Sequence, residues 1–155
     1  MNHDKIQKLH YYFNKNLIKK FIQVSHSHVI FSILFAKKSE KKLCFYIDYR
    51  ELNAIIVKNH YSLFLISEFL NCLCKIRIYI KLDIIHAFNH LYIWEDDEEL
   101  IVFCTHFELF KYLVMFFDLF NDFVTFQFYI NNILQEYLDD FCTVYLDDIF
   151  IYSEL

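Results

Sequence analysis

A chain of 155 residues with no glycine and no proline must make every turn with residues that carry a β-carbon. Ordinary usage would place about eleven glycines and about eight prolines in such a length. Glycine serves where φ must be positive or where backbone approaches a ligand closely, and a β-carbon there costs stability. Losing both residues is not a folding strategy. Turns have to be read instead from polar and charged interruptions between apolar runs.

One interruption carries chemistry. Tyr145-Leu146-Asp147-Asp148 lies between the runs FCTV and IFIY, which read as two short β-strands rich in β-branched and aromatic residues, with the Asp-Asp pair as the tight turn between them. Adjacent carboxylates at the tip of an apolar hairpin want a partner that their neighbours do not supply. A hard divalent cation such as Mg²⁺ would supply it, because such ions take oxygen ligands. The plain alternative is a solvated hairpin tip, since Asp is an ordinary turn residue.

A second acid adds weight. In KIRIYIKLDIIHAFNHLYI, residues 75–93, an alternating apolar strand ends at Asp83, the only acid between Glu68 and Glu95. Two-metal phosphoryl transfer needs acids from separate strand ends that converge on a pair of ions. The pattern looks like that of a polymerase.

From about Asn16 to Ser153 the chain resembles the reverse transcriptase of gypsy-type LTR retrotransposons, a relative of the retroviral enzyme. The matching segments are SILFAKK (32–38), LCFYIDYRELNAIIVKNHYSLFLISEFL (43–70), KLDIIHAF (81–88), FKYLVMFFDLFNDFVTFQFYINNIL (110–134) and YLDDIFIYS (145–153). They fall in the family's order at close to its spacing.

The resemblance implies an α+β fold: a right-hand polymerase palm, with a ferredoxin-like sheet backed by helices, and a partial fingers subdomain. Residues 1–80 would be mainly fingers and 81–155 mainly palm, with thumb, connection and RNase H regions absent. Asp83 would be the first metal-binding acid, with the backbone carbonyl of Ile84 also facing the metal. Asp147 would be the second, and Asp148 a third, more peripheral one. Phe88 stands where the family closes off the space of a ribose 2′-hydroxyl; Lys37 and Lys38 stand where a basic residue meets the incoming triphosphate. Gln127 falls in the segment that packs near template and nucleotide. For Phe88 the alternative is a core aromatic, and for the two lysines a solvated edge.

The implied reaction is RNA-directed DNA synthesis, nucleotidyl transfer from a dNTP to a primer 3′-hydroxyl on an RNA or DNA template. Mg²⁺ is the expected cofactor, with Mn²⁺ as the alternative. Expected partners are the primed template, the dNTP and other parts of a polyprotein, without a membrane. The expected location is the cytoplasm, with element particles or the nucleus as alternatives.

The missing residues have a pattern against the same family. Usual proline positions read Ser32, Ser62, Phe64, Phe116 and Phe123; usual glycine positions read Lys20, Lys41, Glu108 and Asp118. Usual arginines read Cys44, Cys104, His90 and His106, leaving only Arg50 and Arg77. These are the changes that drift from G and C to A and T produces, so the chain reads as a degenerate copy from an AT-rich genome. Two of them bear on activity. MFFDLFNDF replaces the family's MPFGLTNAP, so Asp118 is expected to repel phosphate, and Cys44 removes a cation from the triphosphate. Losing one such contact costs about two powers of ten in rate or more.

Net charge is −5, but residues 1–81 carry +9 and residues 82–155 carry −14. A basic first half could follow a phosphate backbone, and an acidic second half could house metals. The acidic run Trp94–Glu99 reads as a solvated turn. No apolar stretch reaches about twenty residues, and the N-terminus lacks an apolar signal core. Five cysteines without a CxxC read as reduced thiols.

Periodicity predicts a lysine-rich amphipathic helix over 4–20 and a fingers hairpin of ILFAKK with LCFYIDY across SEKK. It predicts a short helix opened by Ser62, a strand over IRIYIKL, and strands over IVFCTHFE and LFKYLVMF. A long helix is expected over DFVTFQFYINNILQEYLDD, with Leu138-Asp139-Asp140 as a solvated helix end. Competing readings are a nucleic-acid-binding remnant without chemistry and a fragment that cannot fold alone. A glycosidase-like carboxylate pair is a distant third.

Overall fold

The computed structural model describes residues 3–37, 43–63, 66–74, 76–138 and 140–153. In chain order the elements are α1 (His3–Ile18), β1 (Ile22–Val24), β2 (Phe31–Lys37), β3 (Leu43–Ile47), α2 (Arg50–Ile55), α3 (Ile66–Leu73), β4 (Ile78–Asp83), β5 (Phe103–Cys104), β6 (Leu109–Tyr112), α4 (Asp122–Ile133), β7 (Cys142–Tyr145) and β8 (Asp148–Ser153). Short 3₁₀ turns lie at Ala87–His90 and Glu98–Leu100. The chain forms two compact units, residues 1–56 with 89–119 and residues 57–88 with 120–155. The two units interleave along the chain.

The first unit is built on a five-stranded sheet in the order β1-β6-β5-β2-β3. β2 and β3 form the expected hairpin, with Ile33 opposite Ile47 and Lys37 opposite Leu43. Helix α1 is amphipathic as predicted: Leu9 and Phe13, four apart on one face, are buried, while Lys15 is exposed. Phe13 stacks on Phe110 at 5.3 Å, and Phe45, Phe103 and Phe116 continue the aromatic core. Tyr49 is buried in it, and its hydroxyl donates to the Ile101 carbonyl at 2.7 Å, which satisfies the one polar atom it brings inside. Burial and the neighbouring Asp118 push that phenol far above the ordinary tyrosine range.

Helix α1 ends on a residue with positive φ. Lys20 has φ 57°, with its N–H donating to Leu17 and the Phe21 N–H to Asn16. This is a left-handed C-terminal cap, a place where a β-carbon is a burden. Lys20 is one of the four positions where the resemblance leads one to expect a glycine. Lys20→Gly is expected to raise stability by about 1 kcal/mol in a thermal melt. Glu108 and Asp118 have negative φ, and Lys41 lies outside the described residues.

The acidic run is more than a solvated turn. The Lys111 ammonium meets Glu98 at 2.6 Å and Glu99 at 2.8 Å, and the Lys111 and Glu98 side chains are only 14% and 13% exposed. Ser25 donates to Glu99 at 2.6 Å, and Ser27 to the Glu99 carbonyl. The only lysine of the acidic half is therefore a structural clamp.

The second unit holds a three-stranded antiparallel sheet, β4-β8-β7, with α3 and α4. From α3, Phe69 sets its ring against Tyr145 and Phe150. α4 buries Phe126 and Ile130 and packs along β7. It is shorter than expected: the helix ends at Ile133 with Leu134 as its cap, Leu138 forms an isolated bridge with Cys142, and Asp140 lies in the turn before β7, so they are not the end of α4. α3 begins at Ile66, later than Ser62. β5 is only two residues long because the Thr105 hydroxyl accepts from the Phe107 and Glu108 N–H groups and closes a turn there. Cys74, Cys104 and Cys142 are free thiols. Among the described residues no helix is long and apolar enough to cross a membrane.

Candidate functional site

The second unit brings the three predicted acids to one end of its sheet. β4 and β8 are antiparallel in the register Ile78↔Ser153 to Asp83↔Asp148, so Asp83 and Asp148 are direct cross-strand neighbours. One residue further, the Ile84 N–H donates to the Asp147 carbonyl at 2.9 Å and extends the ladder around the bend. Residues sixty-five apart in sequence thus share a strand end. Asp83 and Asp147 are exposed, while Asp148 is half-buried.

The bend differs from the expectation by one residue. Tyr145 pairs with Asp148, so the two-residue loop is Leu146-Asp147, and Asp148 is the first residue of β8. Leu146 has φ 56° while Asp147 does not, which is the backbone of a hairpin turn that favours glycine at its first central position. Holding leucine there costs about 1–3 kcal/mol and needs surrounding structure to enforce it.

Gln127 enforces it. The side chain is buried on α4, its Oε1 accepts the Leu146 N–H at 2.7 Å, and its amide nitrogen donates to Asn131 at 2.8 Å and to the Val144 carbonyl at 3.3 Å. Asn131 in turn donates to the Tyr61 hydroxyl at 3.0 Å. Sequence reading placed Gln127 near template and nucleotide, but its polar atoms all face inward. It is a positioning residue for the acid-bearing turn. The signal was present in the spacing: a glutamine one helical turn from Asn131 on an otherwise apolar helix face.

Lys81 is the residue that sequence reading missed. Two positions before Asp83, it lies on the same face of β4 and reaches Asp148 Oδ2 at 2.7 Å, with the Phe150 ring centroid 5.9 Å from its Nζ. The hydrogen bond to Asp148 holds its ammonium above the ordinary lysine range, with the charges of Asp148, Asp83 and Asp147 acting in the same direction. The acidic end of the sheet therefore already attracts a cation, one supplied by the chain. Oxygen-only donors suit a hard divalent ion. Among the described residues, however, no three acidic, histidine or cysteine side chains converge on one ion-sized point. In this arrangement one Asp148 oxygen is engaged by the Lys81 ammonium.

The other predicted residues fall as follows. Phe88, half-buried beside Ala87, sets its ring 5.6 Å from Phe123 and 5.4 Å from Phe126, so it is anchored on α4. Lys37 closes β2 in the first unit, but its side chain and all of Lys38 lie outside the described residues, as does the side chain of Cys44. Asp118 is not a bare carboxylate: Oδ2 accepts the Ile47 N–H at 2.9 Å, and its backbone carbonyl accepts Asn53 Nδ2 at 3.0 Å. Burial pushes its carboxyl above the ordinary aspartate range, against the Ile47 hydrogen bond. Asp118 is thus a cap on β3.

The fold is that of a right-hand polymerase. A foamy viral protease–reverse transcriptase solved in complex with an RNA/DNA hybrid matches with TM-score 0.89 over 100% of this chain and 21% of its own, at 16% identity. The native prototype foamy virus protease–reverse transcriptase matches with TM-score 0.76 over 92% of this chain and 19% of its own, at 18% identity. At residues 35–155 the chain matches the family model described as reverse transcriptase (RNA-dependent DNA polymerase), and it belongs to that family.

Curated relatives agree. An RNA-directed DNA polymerase homolog of Oenothera berteroana is 36% identical over 107 residues, 69% of this chain and 75% of that protein. The Tf2-3 transposon polyprotein of Schizosaccharomyces pombe is 31% identical over 97% of this chain, and the Pol polyprotein of transposon 297 from Drosophila melanogaster is 37% identical over 69%. The chain spans only 11% and 10% of those two polyproteins. Both names fit the gypsy-type resemblance, and the family is one of RNA-directed DNA polymerases.

Proposed function

We propose that this chain is the polymerase domain of a retrotransposon polyprotein. It would transfer nucleotidyl groups from dNTPs to a primer 3′-hydroxyl on an RNA or DNA template, with activity impaired in this copy. The observation that supports the site is the pairing of Asp83 with Asp148, beside Asp147, on one sheet end. Those acids, with the carbonyl of Ile84, would hold two Mg²⁺ ions, or Mn²⁺ in their place. Bound there, the ions supply activation of the attacking hydroxyl and neutralisation of the leaving pyrophosphate.

The remaining tasks belong to the chain. Gln127 fixes the turn that carries Asp147, so that acid need not be reorganised at the moment of reaction. Phe88, braced by Phe123 and Phe126, would exclude a ribose 2′-hydroxyl. Lys37 and Lys38 would draw in the triphosphate. The first unit corresponds best to fingers and the second to palm.

Impairment follows from what stands in place of cations. A thiol at Cys44 offers no charge-assisted contact to phosphate, and Lys81 answers Asp148 before a metal can. Arg50, one of two arginines left, is tied to Asp48 by contacts of 2.7 and 2.6 Å. A primed RNA template, dNTPs and Mg²⁺ test the reading: weak extension is expected, abolished by Asp147→Asn. Vigorous extension would overturn the impairment, and extension that survives Asp147→Asn would overturn the site. Salt-dependent template binding with no extension at all selects the non-catalytic remnant that the Lys81–Asp148 bridge also favours.

A further inference from the structure

We propose that the outward face of α1 is a separate, sequence-independent contact for single-stranded nucleic acid, with a base stacked on Tyr11 and phosphates met by Lys15 and Lys19. The helix buries Leu9 and Phe13 in the core, which turns the opposite face out. On that face Tyr11 is 72% exposed and Ile18 is 84% exposed, and Lys15, Lys19 and Lys20 are exposed beside them. Tyr11, Lys15 and Lys19 stand four apart in sequence, so they form one row along the helix with about 6 Å of rise between neighbours. A ring left in water to that extent does little for the core.

The charge along the row is of one sign. The sequence holds no acid between Asp4 and Glu40, and among the described residues no ion pair engages Lys15, Lys19 or Lys20, unlike Arg50, Lys81 and Lys111. The Lys19 ammonium lies 5.3 Å from the Phe21 ring centroid, a contact that orders it without neutralising it. At the aromatic end His10 meets Phe107 edge to face, with centroids 5.4 Å apart, and shares a 3.0 Å hydrogen bond with Asn14. Phe107 is itself 49% exposed. Rings at one end and ammonium groups at the other fit a strand that carries both flat bases and phosphates. An anionic membrane fits less well. The continuous apolar face of α1 is already packed into the core, and Tyr11 and Ile18 leave too narrow a stripe for insertion.

This inference uses α1 and its neighbours in the first unit, so it stands or falls apart from the acids of the second. Trp94 is the only tryptophan, so Trp94→Phe combined with Tyr11→Trp gives a full chain whose indole fluorescence reports from the row alone. Titration with a short oligouridylate is expected to quench that emission, because a base stacks on the ring. The affinity read from the quenching should fall as salt rises. Adding Lys15→Gln and Lys19→Gln should weaken binding about tenfold or more and lower the salt slope by about 1.4, the share of two phosphate contacts on a single strand. Circular dichroism verifies that each variant folds. No quenching, quenching indifferent to the two lysine exchanges, or equal or tighter binding to polyglutamate or to phosphatidylserine vesicles overturns the proposal.

Discussion

Gln127→Leu is expected to destabilise the second unit by about 3 kcal/mol or more, the largest loss from any single exchange considered for this chain. The leucine is of similar bulk, so the cost is not a cavity. It is the removal of three hydrogen bonds that meet at one buried side chain and the stranding of the groups they served. The Leu146 N–H would lose its acceptor inside a turn that already carries φ 56°, and the Val144 carbonyl would lose its side-chain donor in a buried strand. Unsatisfied buried groups cost about 1–3 kcal/mol each. Gln127→Glu separates the parts: it keeps an acceptor for Leu146, loses the donor to Val144, and buries a charge. Urea unfolding of both variants measures the difference. A loss below about 1 kcal/mol for Gln127→Leu would mean that the turn holds itself.

Lys111→Met comes next, at about 2 kcal/mol, because it leaves the half-buried Glu98 without its cation and takes a 2.8 Å partner from Glu99. Exposed ion pairs are worth far less, and Glu99 alone, 47% exposed, would not carry this figure. The pH dependence gives a second readout. The Lys111 ammonium, aided by the Ser25 hydroxyl, holds the Glu99 carboxyl below the ordinary range. That contribution is present above the unfolded value, about pH 4.3, and fades as pH falls through the lower folded value. Lys111 itself is held above its ordinary range by Glu98 and then Glu99. Its share is present below about pH 10.4 and fades as pH rises through the higher folded value. Wild-type stability should therefore fall on both flanks, and the Lys111→Met curve should be flatter on both. Parallel curves for the two proteins would show that the clamp carries no net stability.

The strands were the most legible part of the fold. β4, β7 and β8 alternate apolar with polar or carry β-branched runs, and the β2–β3 hairpin is marked by the charged SEKK between its arms. Local pattern also predicted α1 correctly. Boundaries were less legible. α4 ends at Ile133 although apolar residues continue at helical steps, and the Leu146-Asp147 loop takes one aspartate into the turn and leaves the other in β8. Such limits depend on tertiary bonding that propensity does not contain.

Sequence reading failed most where a role depends on a distant partner. The acidic run read as a solvated turn, yet Lys111 neutralises two of its glutamates from twelve and thirteen positions later. Asp118 read as a charge aimed at phosphate, yet it caps an N–H seventy-one positions away. Lys81 read as part of a strand, yet it occupies the very carboxylate that a metal would need. Lys20, by contrast, was legible, because a position expected to hold glycine points to the positive φ found there.

Asp83, Asp147 and Asp148 are proposed to form one divalent-cation site held in check by Lys81. A titration of the chain with Mn²⁺, followed by electron paramagnetic resonance of the free ion, tests it directly. Wild type is expected to bind, Asp147→Asn to weaken binding about tenfold or more, and Lys81→Gln to strengthen it several-fold by releasing Asp148. Binding that is unaltered by both exchanges, or no binding even when Lys81 is neutral, would contradict the claim.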